Sequence, residues 1–216
     1  MLHPFGGSIQ QYIEECSEES YRYRPSSCPQ CDSVQRLAPH GFYSRTVVDV
    51  DLEWVIRVRR YLCRACRRTV SLLPEFVLPY LRFSTRLIGM FLKARLSGKQ
   101  TLKAAAQAAH QAKMPYERGQ YWVRRFIRQA ESVSAALAGL TQPIVAPDFV
   151  SLAIGMLEQT GWVAAHRFLF PQLRLHLLGW PGFLAPAGIA VRIAGAVTGG
   201  GAPPQSTCMD SESPPA

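Results

Sequence analysis

Cys28 and Cys31 form one Cys-x-x-Cys pair, and Cys63 and Cys66 form a second, with 31 residues between the two pairs. Two intervening residues let both sulfurs of a pair turn inward from one tight knuckle. Two knuckles brought together supply four thiolates in a tetrahedron. That arrangement suits Zn²⁺, and a shell closed by four cysteines is structural rather than catalytic. Pro29 stiffens the first knuckle. Arg64, Arg67 and Arg68 surround the second, where their charge offsets the negative charge of a metal–thiolate centre. An iron–sulfur cluster can use the same four ligands, and spacing does not separate the two metals. Disulfides are disfavoured in the intracellular setting expected here. A redox Cys-x-x-Cys needs only one pair, at a helix N-terminus. Cys16 and Cys208 lie near the chain ends, apart from the pairs. His40 lies between the pairs and is expected on a strand or loop, because four thiolates already complete the shell.

The second chemical feature is charge. The 216-residue chain carries a net +9, unevenly placed. Residues 1–20 carry −4, residues 21–130 carry +15, and residues 131–216 carry −2. A basic middle between acidic ends fits a surface that meets a polyanion, of which nucleic acid is the commonest. Between Arg36 and Arg86 every basic residue is Arg. Arg is favoured over Lys where a planar fork grips phosphate or guanine.

The elements that must position these groups follow from periodicity. "WVIRVRRYL" alternates, with Trp54, Ile56, Val58 and Leu62 on one side and Val55, Arg57, Arg59 and Tyr61 on the other. This predicts a strand with one basic face. "FYSRTVVDV" (Phe42 to Val50) reads as its partner, "DLE" (Asp51 to Glu53) as the turn, and "TVSLL" (Thr69 to Leu73) as a third strand. An antiparallel hairpin thus fills the gap between the knuckles. Downstream, Ser84 caps a helix to about Leu96 that ends at Gly98, and Thr101 caps "LKAAAQAAHQ", whose Ala105, Ala108 and Ala109 allow close helix approach. After Pro115 a third helix spans about Glu117 to Leu137. Its inner side carries Trp122, Phe126, Ala130 and Val133. Its outer side carries Arg118, Gln120, Tyr121, Arg124 and Arg128. This order is similar to a three-helix helix-turn-helix unit, whose last helix enters the major groove. There, Arg and Gln read base edges and others hold phosphates.

"CPQC", "HGFYSR" and "IRVRRYLCRACRRTVSLLPEFVLPY" together resemble the zinc-ribbon family of bacterial transposase-like proteins associated with insertion sequences. Many of its members are described only as domains of unknown function. The likeness covers about residues 24–80, and the helices extend it to about 130. It implies the DNA-binding part, or a separate accessory protein, of a transposition system. Only Cys28, Cys31, Cys63 and Cys66 carry over a clear role. A transposase with an Asp-Asp-Glu centre needs three carboxylates holding two Mg²⁺ ions. Here the acids after residue 130 are Glu131, Asp148, Glu158, Asp210 and Glu212, on too little chain for such a core. The catalytic part is therefore expected on another polypeptide.

The resulting expectation is an α+β chain in five parts. These are an acidic leader (1–24), a four-cysteine antiparallel zinc ribbon (25–80), a helix-turn-helix-like unit (81–135), an apolar helical region broken by Pro and Gly (136–198), and a disordered tail (199–216). The expected function is DNA binding, with structural zinc, no enzymatic activity of its own, and a cytoplasmic, nucleoid-associated location. Arg57, Arg59, Arg64, Arg67, Arg68, Arg118, Gln120, Arg124 and Arg128 are the expected DNA contacts. Double-stranded DNA at transposon ends and a separate catalytic transposase or integrase subunit are the expected partners. The alternative is a zinc-ribbon module that binds protein, with the apolar C-terminal region as its docking or self-association surface. "FLAPAGIAVRIAGAV" (Phe183 to Val197) is 15 residues long and carries Arg192, too short and too charged for a membrane span. His110, His166 and His176 stand apart and read as surface or core residues rather than ligands.

Overall fold

A computed structural model describes residues 1–3, 5, 7–16, 24–50 and 52–180. The tail, the Phe183-to-Val197 segment and Cys208 lie outside the described residues. The described part combines a small sheet with six α-helices, an α+β architecture.

Three antiparallel strands form the body of the sheet: β2 (Ala38–Val48), β3 (Glu53–Leu62) and β4 (Thr69–Pro74). β3 is central, pairing Val58 with Tyr43 on one side and Tyr61 with Val70 on the other. β2 starts four residues earlier than its β-branched run suggests, at Ala38 rather than Phe42. The extension crosses a bulge between Pro39 and Phe42, where Gly41 holds φ +80°, a conformation costly for residues with a Cβ. The hairpin connection is Asp49–Leu52, closed by Asp49 N–H to the Leu52 carbonyl (2.9 Å). Glu53, expected in the turn, opens β3.

The leader contributes two elements that its acidic run concealed. β1 (Leu2–His3) adds in parallel to the edge of β4. α1 (Ile9–Cys16) starts with a reciprocal cap: Gln11 N–H donates to Ser8 Oγ (3.2 Å) and Ser8 N–H donates to Gln11 Oε1 (2.7 Å). Ile9 and Tyr12 then bury against Val47, Ile56, Val58 and Phe76 on one face of the sheet.

The helices are α2 (Thr85–Leu92), α3 (Leu102–Ala108), α4 (Tyr116–Leu137), α5 (Phe149–Thr160) and α6 (Trp162–Leu173). Both expected caps form: Ser84 Oγ accepts from Leu87 N–H (3.0 Å) and Thr101 Oγ1 from Ala104 N–H (3.2 Å). The first helix departs from expectation at its end, where Lys93–Ser97 widen into a π-helical turn before Gly98. The buried alanines are Ala105 and Ala106 on α3 and Ala109 just after it, while Ala108 faces water. One apolar core runs from Val48, Leu78 and Phe83 through α2, α3 and α4 to Leu157, Leu169 and Leu177. It joins the three-helix stretch to the apolar region that follows it. Trp122 is its centre, fully buried with its ring edge-on to Phe83 (4.9 Å) and Phe91 (5.3 Å).

Candidate metal centre and basic surface

The two knuckles fold alike. Cys28 N–H bonds the Ser33 carbonyl (2.9 Å), and Cys63 N–H bonds the Arg68 carbonyl (3.0 Å), five residues on in each case. The residue after each second cysteine turns left-handed: Asp32 at φ 54° and Arg67 at φ 56°. That reversal directs both sulfurs of a knuckle to one point. The hairpin returns the second knuckle onto the first, so that Cys28, Cys31, Cys63 and Cys66 place their sulfurs within 4.8 Å of one another. Cys28 Sγ lies 3.8 Å from Cys66 Sγ, and Cys31 Sγ lies 3.7 Å from Cys63 Sγ. None of the four is in a disulfide. Leu37, Tyr61, Val70 and Leu72 pack around Cys28 and Cys63, whereas Cys31 is exposed. Four thiols so placed can hold one metal ion. His40 lies on β2, exposed and outside the cluster.

The local field prepares the sulfurs unequally. The Cys66 backbone N–H draws the Cys63 thiol down to about 7 against the effect of desolvation, with help from the Cys66 thiol and the Ala65 amide. At Cys31 the Ser33 backbone pulls downward, but desolvation and hydrogen bonds with the other three sulfurs outweigh it and push the thiol up to about 12. The knuckles are tied together by Arg68, which donates to Gln30 Oε1 (3.0 Å). Arg174, at the end of α6, donates to the Pro29 carbonyl and so fastens the first knuckle to the helical part.

The arginines fall into two groups. Several are internal fasteners. Arg45 donates to the carbonyls of Leu78 (2.8 Å) and Leu81. Arg125 donates to those of Leu178 (2.7 Å) and Trp180. Arg167 pairs with Glu75 at 3.4 Å. Arg59, expected on an exposed basic strand face, is only 6% exposed. Its guanidinium lies 4.4 Å from the Phe42 ring centre and 5.5 Å from that of Tyr61. The strand's alternation therefore holds up to Val58 and fails at Arg59, which lies buried against the Phe42 and Tyr61 rings.

Arg57, Arg64, Arg67, Arg118, Arg124 and Arg128 are exposed. On α4, Arg124 and Arg128 stand one turn apart beside half-exposed Tyr121. Arg118 points elsewhere: it lies roughly 80–120° round the helix from them, with its guanidinium over Phe83. Gln120 is half-buried and donates to the Tyr116 hydroxyl (3.0 Å). Arg82 was not singled out by the sequence reading, yet its exposed guanidinium lies over the same Phe83 ring.

Carboxylates of the later helices serve local roles. Asp148 accepts from Ser151 N–H (2.7 Å) at the start of α5, which holds its carboxyl below the usual range. Glu158, at the other end of α5, pairs with Lys93 and accepts from Trp162 Nε1 (2.6 Å). Lys93, Glu158, Trp162, Arg86 and Met90 line a shallow groove of about 420 Å³. His166 and His176 are both buried, as one of the two readings for them expected.

Fold and site thus define a four-thiol sheet whose cysteines could hold a metal ion, joined to a helical core with a basic surface. Residues 28–112 match the family described as "Domain of unknown function (DUF6431)". The match opens at Cys28, takes in all four cysteines, β2 to β4, α2 and α3, and ends before α4. No curated protein matches the chain, and no solved structure matches it. Among the described residues no helix is long and apolar enough to cross a membrane.

Proposed function

We propose that the chain is a zinc-stabilised DNA-binding protein of transposition origin, acting as the DNA-binding or accessory partner of a catalytic subunit carried elsewhere. Zinc is favoured because a tetrahedral ion with Zn–S bonds of about 2.3 Å needs sulfur–sulfur edges of roughly 3.8 Å. Two of the six edges are 3.7 and 3.8 Å, and all four sulfurs lie within 4.8 Å of one another. Cys28, Cys31, Cys63 and Cys66 would hold it, and its role there is to lock two knuckles that have little core of their own.

The observation that carries the DNA reading is the α4 surface. Its inner face is fixed by fully buried Trp122 and Phe126. Its outer face presents Arg124 and Arg128 to water with no ion-pair partner among the described residues. A rigid helix with unpaired guanidiniums a turn apart suits phosphate and base-edge contact. The connection from α3 to α4 is longer than the three or four residues usual in a helix-turn-helix, so the helices share its order rather than its tight turn.

Binding of duplex DNA followed over a salt series tests the reading. The wild-type chain is expected to bind with an affinity that falls steeply with salt. Arg124→Ala is expected to weaken binding and lower the salt slope by about one contact. Salt-insensitive binding, or none, would overturn the reading. It would favour the protein-docking alternative instead.

A further inference from the structure

We propose that Arg82 and Arg118 form one phosphate clamp at the seam between the sheet and the helical core, and that it takes a backbone phosphate of duplex DNA. This rests on the DNA-binding reading above and adds a position and a residue to it.

The two arginines come from different elements. Arg82 lies in the connection between β4 and α2, and its carbonyl accepts from Val48 N–H (2.7 Å) at the end of β2. Arg118 lies in the first turn of α4. Both guanidiniums sit over the ring of Phe83, each with its central carbon 5.4 Å from the ring centre. That ring cannot drift. It is 3% exposed, it is edge-on to Trp122 at 4.9 Å, and its backbone bridges to Val48. Stacking on an aromatic face restrains a guanidinium and leaves its N–H edges for a ligand.

Neither cation has a carboxylate partner among the described residues. Glu117, beside Arg118, is exposed and pairs with neither. Asp49 accepts from Ser84 Oγ (2.5 Å) and pairs with neither arginine. Each guanidinium is thus held 5.4 Å from the same ring centre, and in the proposed clamp one anion bridges the two. Arg124 and Arg128 lie about 9 and 15 Å further along the axis of α4 at 1.5 Å per residue, turned roughly 80–120° from Arg118. Cations spaced along one helix suit a polyanion better than a single free phosphate.

The test uses the full zinc-loaded chain and a short duplex of arbitrary sequence, with anisotropy read over a salt series. Arg82→Gln and Arg118→Gln are each expected to weaken binding several-fold and to lower the salt slope by up to one, the double variant lowering it by about one in all. Because they share a phosphate, the double variant should weaken binding by less than the product of the two factors. Arg82→Lys should keep the slope and lose affinity, since it keeps charge without the planar fork. Unchanged metal content and circular dichroism identify the folded variants. If the wild type binds, and Arg124→Ala weakens it while Arg82→Gln leaves affinity and slope unchanged, the clamp is overturned and the DNA reading stands. A strictly multiplicative double variant overturns the shared phosphate. Failure of the wild type to bind overturns both.

Discussion

His166 and His176 show how position changes the chemistry of one residue type. His176 Nε2–H donates to the Pro79 carbonyl (3.1 Å), and its Nδ1 accepts from Leu178 N–H (3.1 Å), which fixes a neutral tautomer. Burial lowers it to about 4, the Pro79 carbonyl opposing and the Arg125 charge assisting. Neither nitrogen of His166 has a partner in hydrogen-bond geometry. Desolvation, followed by the nearby His176, brings it down to about 3, with the Val77 backbone offsetting only part of the shift. An ordinary histidine titrates near 6.5. Above that pH both rings are neutral in the folded and unfolded chain alike, and they add no pH dependence. Below it the unfolded chain takes up protons that the folded chain refuses. Stability is therefore lost as pH falls from about 6.5 toward 4 and 3, with up to two protons taken up on unfolding. His166→Phe is expected to keep the fold at neutral pH and to remove about one proton from this acid limb. Chemical denaturation at stepped pH measures it, and an unchanged limb would show that His166 titrates normally. From sequence the two histidines read as surface or core residues. Their isolation from other ligand types was visible there, whereas their burial was not.

At the scale of elements, most of the local structure was legible. Ser84 and Thr101 announced their helices because a cap hydroxyl and the amide it satisfies lie within one turn. Pro115 marked the start of α4 because it cannot continue a helix. The α1 helix carries the same kind of signal, Ser8-x-x-Gln11, ahead of its acidic run. What spacing could not show is how elements meet. Gly89 sits inside α2, where glycine weakens a helix by about 1 kcal/mol relative to alanine. Its reason is on α6: a Cβ at Gly89 would stand 2.6 Å from the Trp162 ring. Gly89→Ala is expected to lower the melting temperature, as overpacking costs about 1–3 kcal/mol and outweighs the gain in propensity. In a Trp162→Leu background the same substitution should stabilise the protein. Stabilisation of the wild type by Gly89→Ala would show that Trp162 can step aside.

At the scale of the whole molecule, the cysteine cluster and the helical core are packed as separate clusters. The cluster around the thiols is small, holding Leu37, Tyr61, Val70 and Leu72 with two of the cysteines. The helical core draws on five helices and needs no metal ligand. Removing the metal should therefore unfold the sheet's cysteine end and leave most of the helix. Cys63→Ser is expected to lose the ion and to melt the strands while far-UV circular dichroism keeps its helical signal. Metal content of one ion per chain in Cys63→Ser would contradict the four-thiol site. Collapse of the helical signal on chelation would show instead that the helices depend on the ribbon, through Val48, Phe83 and the Arg174 contact with Pro29.

The sequence by itself determined the four clustered cysteines, the hairpin between them, the caps and the inner stripe of α4. These depend on residue type at short spacing, or on a return path that 31 residues can make. Only the tertiary structure decided which arginines meet water. A guanidinium is exposed or engaged according to the carbonyls and rings brought to it from distant segments, and no local pattern records them. Arg45 is held by Leu78 and Leu81, Arg125 by Leu178 and Trp180, and Arg174 by Pro29. Arg59 lies against Phe42 and Tyr61. Arg82 and Arg118 are 36 positions apart, and each lies over the same phenylalanine.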